Sequence, residues 1–199
     1  GANQTSNLFS NLTVGTYRIR AIDANGCSTI TANISVSQAA QLVASPSNTS
    51  PVCTGTSVTL SAANAGVGVS YEWTGPNGGI VANMQQFTIN NAQAVNAGTY
   101  TLRVYTADGC QNTATTIVKI NPLPDVNAGI DQTICEGTTV TLSASTSGGS
   151  TPYSYNWNNG LGNGFSKTTT PSGTTDYIVR VNDANGCTGS DAVRVTVLT

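Results

Sequence analysis

Three stretches decide the fold. They are Tyr17-Arg-Ile-Arg-Ala-Ile-Asp-Ala-Asn-Gly-Cys27, Tyr100-Thr-Leu-Arg-Val-Tyr-Thr-Ala-Asp-Gly-Cys110 and Tyr177-Ile-Val-Arg-Val-Asn-Asp-Ala-Asn-Gly-Cys187. They align without a gap, each with an arginine three residues after the tyrosine (Arg20, Arg103, Arg180) and each ending in Gly-Cys. Within them apolar and polar residues alternate. Tyr100, Leu102 and Val104 share one face, and Thr101, Arg103 and Tyr105 the other, which is the period-2 signature of a half-buried strand. The Asp-Gly and Asn-Gly pairs ahead of each cysteine favour positive φ and predict hairpin turns.

Working outward, a second series recurs: Cys53-Thr-Gly-Thr-Ser-Val-Thr-Leu60 and Cys135-Glu-Gly-Thr-Thr-Val-Thr-Leu142. Between the two series lie Tyr71 with Trp73, and Tyr155 with Trp157. The repeating unit is therefore about 80 residues, a period that marks tandem modules. The predicted organisation is the C-terminal part of a truncated module over 1–38 and complete modules over 39–121 and 122–199. No segment has a sustained helical period. Short strands with frequent turn signals predict an all-β architecture of tandem immunoglobulin-like sandwiches, about seven strands each. Asn96-Ala-Gly-Thr-Tyr100 matches the tyrosine corner of such folds, and Trp73 falls at the central-strand core position.

Composition narrows the function classes. Only 8% of the 199 residues are charged, the net charge is −2, and seven lysines plus arginines are scattered along the chain. Nucleic-acid binding needs clustered cations, so it is not expected. No apolar run approaches the ~20 residues that span a bilayer. There is no histidine, which removes the Ser-His and Cys-His nucleophile systems. No carboxylate pair is placed for acid–base work, so no enzyme is expected. Gly1 to Ser10 is polar and unlike a signal peptide, which suggests an interior piece of a longer secreted protein.

The series Cys-x-Gly-x-x-Val-x-Leu, Tyr-x-Trp, Gly-Thr-Tyr-x-Leu-x-Val and Asp-Gly-Cys resembles the immunoglobulin-like and PKD-like repeats of giant Bacteroidota surface proteins. Phe9 to Tyr17, continued through Asp23-Ala-Asn-Gly-Cys27, is similar to the end of an SprB-type repeat of gliding-motility adhesins. The resemblance covers nearly the whole chain. It implies export by type IX secretion, attachment at the bacterial cell surface, and no catalytic residues. It implies a stalk or filament segment whose partners are neighbouring repeats, other copies, or surface glycans.

Five cysteines without histidine or a Cys-x-x-Cys pair do not make a zinc site, and charge-poor secreted repeats are expected to be oxidised. Two pairings are open. In one, each module closes its own bond, Cys53 to Cys110 and Cys135 to Cys187. Alternatively, Cys53 meets Cys187 across the joint between modules, leaving Cys27 without a partner in this fragment. Chain reach favours the second. In the standard sandwich order the first-to-second and sixth-to-seventh hairpins lie at opposite ends, whereas a disulfide needs Cα atoms within about 7 Å.

Other candidates are weaker. No cofactor is expected. Asp23 and Asp183 offer oxygens that suit Ca²⁺, but such residues more often cap their own turns. Lys119 and Lys167, as isopeptide donors, compete with a plain solvated face. Asn11, Asn33 and Asn48 begin glycosylation sequons. Tyr105 and Tyr153 are the loop aromatics on which a glycan-binding alternative rests. A third reading makes these accessory modules of a large secreted hydrolase.

Overall fold

The computed structural model describes residues 8–38 and 41–198. The chain divides into two compact units, Gly1–Gln41 and Leu42–Thr199.

The first unit holds four short strands, β1 (Gly15–Tyr17), β2 (Arg20–Ile22), β3 (Ser28–Ile30) and β4 (Ile34–Val36). β1 pairs with β4, and β2 with β3, both antiparallel. None of its described residues is buried, as expected of strands too few to enclose a core.

The second unit contains two sandwiches in series. The first comprises β5 (Pro46–Asn48), β6 (Val52–Cys53), β7 (Val58–Ala62), β8 (Val69–Thr74), β9 (Ile80–Ala82), β10 (Gln86–Ile89), β11 (Gly98–Thr106), β12 (Gln111–Val118) and β13 (Ile120–Asn121). One sheet has the order β10-β7-β5, the other β12-β11-β8-β9, and β6 runs parallel to β13. The opening strand thus changes sheet between Asn48 and Val52. The second sandwich comprises β14 (Pro124–Asn127), β15 (Gln132–Cys135), β16 (Val140–Ser143), β17 (Ser145–Gly148), β18 (Ser154–Trp157), β19 (Gly162–Asn163), β20 (Ser166–Thr169), β21 (Thr175–Asn182) and β22 (Thr188–Leu198). Its larger sheet has the order β15-β22-β21-β18-β19, again with the parallel contact of an opening-strand piece (β15) to the last strand (β22). A three-residue 3₁₀ turn, Ala94–Asn96, is the helical element among the described residues. No helix there is long and apolar enough to cross a membrane.

Each sandwich has its own core. Val58, Leu60, Trp73, Tyr100, Leu102, Val104 and Val118 form one, and Val140, Leu142, Trp157, Tyr177, Val179, Val181, Val193 and Val195 the other. β21 alternates buried and exposed residues from Tyr177 to Asn182, because successive side chains of a strand point to opposite faces. The indoles keep their N–H groups bonded: Trp73 Nε1 donates to the Met84 carbonyl and Trp157 Nε1 to that of Gly164, each at 3.0 Å.

The tyrosine corner is present: Tyr100 Oη donates to the Asn96 carbonyl at 3.0 Å. Burial pushes the Tyr100 phenol pKa up. Tyr17 makes the same bond four residues back, to the Thr13 carbonyl at 2.6 Å. Tyr177 instead meets Thr169 Oγ1 at 3.3 Å. The shared Gly-Thr-Tyr at residues 15–17 and 98–100 marks the two corners. Gly98 is obligatory at its corner, since its φ is +137° and a Cβ there would lie 2.7 Å from Pro76.

Candidate functional site at the joint between modules

The parallel strand registers fix where each cysteine sits. Cys53 lies opposite Asn121, at the end of the last strand of its sandwich. Cys110 immediately precedes β12, at the start of that same edge. Ten or eleven extended residues separate the two levels, roughly 35 Å at ~3.3 Å per residue. Cys135 lies opposite Leu198, while Cys187 precedes Thr188 at the far end of the eleven-residue β22. The intra-module pairing, Cys53 to Cys110 and Cys135 to Cys187, is therefore excluded by distance. Cys53 is bonded to Cys187, with S–S 2.01 Å and Cα–Cα 5.6 Å. Cys27, Cys110 and Cys135 are exposed free thiols.

The joint is closed by two strands of covalent structure side by side. Asn121, paired with Cys53, leads through Pro122 and Leu123 to Pro124. The Pro124 carbonyl packs against Gly189, two residues beyond Cys187, so closely that a Cβ on Gly189 would stand 2.1 Å from the oxygen. The chain and the disulfide thus cross from one sandwich to the other beside each other. Leu123, between the two prolines, is exposed.

Asp183 holds the Cys187 hairpin. It is the buried charged residue of the described chain, 7% exposed. Its Oδ1 accepts the N–H groups of Asn185 (2.9 Å) and Cys187 (2.8 Å), and its Oδ2 that of Ser150 (2.9 Å). Asn185 Nδ2 donates back to Ser150 Oγ at 2.7 Å. The carboxylate is spent on backbone donors. Asp23 caps its own hairpin likewise, accepting the N–H groups of Asn25 and Cys27. Among the described residues no cluster of three or more His, Cys, Asp or Glu is arranged to hold a metal.

The three Gly-Cys hairpins share one backbone. Asp23, Thr106 and Asp183 donate to the carbonyls of Cys27, Cys110 and Cys187, each at 2.9 Å. φ is positive at Gly26, Gly109 and Gly186 but not at the preceding Asn or Asp. The turns are thus three-residue loops ending on a left-handed glycine, not the two-residue kind that needs two positive φ values. Thr106 departs from the pattern. Its hydroxyl cannot span both N–H groups, and its Oγ1 is buried without a partner.

The remaining candidates are scattered. Arg103 donates to Gln111 Oε1 at 2.9 Å, pairs with Glu72 at 3.6 Å, and stacks over Tyr105 at 4.7 Å. Tyr105 is thereby covered on one face. Arg20 donates to Ser28, and Arg180 is exposed. Lys119 is exposed and Lys167 half-buried. Asn48 uses its amide nitrogen on Thr116 Oγ1 and the Ile117 carbonyl, which a glycan on that nitrogen would displace. Asn33 accepts from Arg18. Tyr153 lies in a shallow groove of about 550 Å³ with Tyr155, Asn156, Phe165, Arg180 and Asn182. Sequence reading missed this groove, because Phe165, just ahead of β20, and the tyrosines, just ahead of and within β18, are separated in sequence and only the fold gathers them.

No family model matches the chain, and no curated protein matches it. Several solved immunoglobulin-domain structures align with it at low identity. The insect immune protein hemolin aligns at 12% identity with a TM-score of 0.49, covering 92% of this chain and 56% of that one. The N-terminal eight Ig domains of Down Syndrome Cell Adhesion Molecule align at 16% and 0.45, covering 92% and 28%. The IG1+IG2 structure of DIP-gamma aligns at 15% and 0.41, covering 77% and 98%. The chain's own strand order and tyrosine corner make it an all-β, immunoglobulin-like sandwich.

Proposed function

We propose that this chain is a structural segment of an extracellular adhesin, a stalk whose modules are stapled so that the joint neither bends freely nor pulls apart. The observation that carries it is the Cys53–Cys187 bond beside the Pro122–Pro124 linker. Two crossings a few ångströms apart remove hinge freedom that a single linker would leave. Proline restricts the remaining backbone. The sequence resemblance to SprB-type repeats supports a bacterial surface setting with type IX export. No catalytic apparatus is part of this reading. The test is the spread of inter-module distances, measured with spin labels on exposed Val67 and Phe165 (each changed to Cys in a chain whose free cysteines are Ser). A narrow distribution that broadens when Cys53→Ser and Cys187→Ser open the staple supports the stalk. Equal widths with and without the Cys53–Cys187 bond refute it.

The groove at Tyr153, Tyr155, Phe165 and Arg180 favours a second reading, in which the second module also binds a glycan. Aromatic faces stack on sugar rings, while Asn156, Asn182 and Arg180 supply donors and acceptors around them.

A further inference from the structure

Cys135 is presented as Cys53 is. Asn121 O accepts from Thr54 N at 2.9 Å and Leu198 O from Glu136 N at 3.1 Å. Cys53 O accepts from Thr56 N at 3.1 Å and Cys135 O from Thr138 N at 3.2 Å. Gly55 and Gly137 have φ of +88° and +79°. Registers agree as well, Asn121 facing Cys53 and Leu198 facing Cys135. One of these two matching turns already holds a Gly-Cys hairpin by a disulfide; the other exposes a free thiol. We propose that Cys135 is the acceptor half of a second joint, and that its partner is the Asx-Ala-Asx-Gly-Cys hairpin of a further module of this repeat, joined behind Leu198. Cys110, on the matching hairpin of the first sandwich, is a donor half of the same kind. This deepens the stalk reading and rests on it only for its mechanical consequence.

The bond forms by thiol–disulfide exchange with a small disulfide such as oxidised glutathione. The Cys135 thiolate attacks one glutathione sulfur and releases the first glutathione thiolate. The hairpin thiolate then attacks the Cys135 sulfur and releases the second. Two protein thiols are oxidised, one disulfide is reduced to two thiols, and the two protein protons pass to the released thiolates.

The register gives the test its design. Because Leu198 occupies the place of Asn121, a second copy of residues 122–199 is appended directly after Leu198 of the full chain. The extended protein is oxidised with glutathione disulfide and its bonds are mapped by mass spectrometry of peptides. The expected result is Cys53–Cys187 retained, Cys135 bonded to the appended copy of Cys187, and at least a tenfold fall in Cys135 alkylation. Changing the appended Cys187 to Ser restores that alkylation while the appended module stays protease-resistant. A folded appended module with Cys135 still freely alkylated overturns the proposal, as does bonding of its hairpin cysteine to Cys110. Bond mapping is independent of joint stiffness, so this proposal and the stalk reading fail separately.

Discussion

A disulfide at the joint changes what tension can do to the chain. Cys53 and Cys187 are 134 residues apart in sequence but 5.6 Å apart at Cα. A force applied to the two termini passes along the opening strands to Cys53, across the sulfur bridge, and out through β22. Everything between the cysteines is a closed loop that no unfolding event can lengthen. That loop contains most of both cores, including Trp73 and Trp157. Extended at ~3.3–3.6 Å per residue, its contour is about 450 Å, nearly all of it hidden while the bond holds. The perturbation is reduction, or Cys53→Ser with Cys187→Ser, in a chain whose other cysteines are Ser. The assay is single-molecule pulling from the two ends. Oxidised protein should yield only the residues outside the loop. Reduced protein should yield an additional ~450 Å, in two steps of roughly 220 Å because each sandwich has its own core. Oxidised molecules that lengthen by a whole module without reductant would refute the reasoning.

Three further outcomes test the local arguments. Thr106→Asp supplies the carboxylate that Asp23 and Asp183 use to cap their hairpins and removes the orphaned hydroxyl, so the denaturation midpoint of the first sandwich should rise by about 1–2 kcal/mol equivalent; no rise would show the cap to be neutral. Gly189→Ala drives a methyl into the Pro124 carbonyl and should cost about 3 kcal/mol or more in chemical denaturation, with the loss concentrated in the second sandwich; a change under ~0.5 kcal/mol would mean that the contact relaxes freely. Tyr100 has its phenol pKa raised by burial, so its stabilisation is complete below the unfolded value near 10 and is lost as pH rises through the folded value. Tyr100→Phe should therefore flatten the alkaline fall in stability while costing about 1 kcal/mol near neutrality for the lost corner bond; an unchanged alkaline slope would remove Tyr100 as its cause.

Much of the fold was legible because alternation and turn chemistry are local. The inward set Tyr100, Leu102, Val104 and its counterpart Tyr177, Val179, Val181 follow from period 2 alone, and each glycine before a cysteine announces a left-handed backbone. What was not legible is whatever depends on which strands become neighbours. The Tyr153 groove needs β18, β19 and β21 side by side. The closeness of Gly189 to Pro124 needs the last strand to pass behind the first. The orphaned Thr106 is visible only once the hairpin backbone is known to be the same in all three repeats, since a threonine there is otherwise an ordinary strand residue.

The cysteines fall between these cases. Sequence spacing leaves both pairings open, and the idea that decides them is a distance along one strand. In each sandwich the opening-strand piece runs parallel to the last strand, so the cysteine that ends it must share a level with that strand's exit. The hairpin cysteine necessarily shares a level with the same strand's entrance. Exit and entrance are separated by the full length of the strand, and no rearrangement of side chains shortens it. Head-to-tail linkage alone brings an exit next to an entrance, because the chain leaving one sandwich is the chain entering the next. The direction of the staple, from the turn after the opening strand in one module to the last hairpin of its successor, is therefore a consequence of parallel pairing at the sheet edge. A module that lost that parallel contact, for example through proline at Val52, whose N–H donates to the Lys119 carbonyl at 3.2 Å, would lose the level that presents its cysteine as well as that ladder bond. Its joint would then fail to oxidise even with both thiols intact, which peptide mapping after oxidation of Val52→Pro would detect as free Cys53 and Cys187. Complete Cys53–Cys187 oxidation in that variant would show that the sheet edge does not set the pairing.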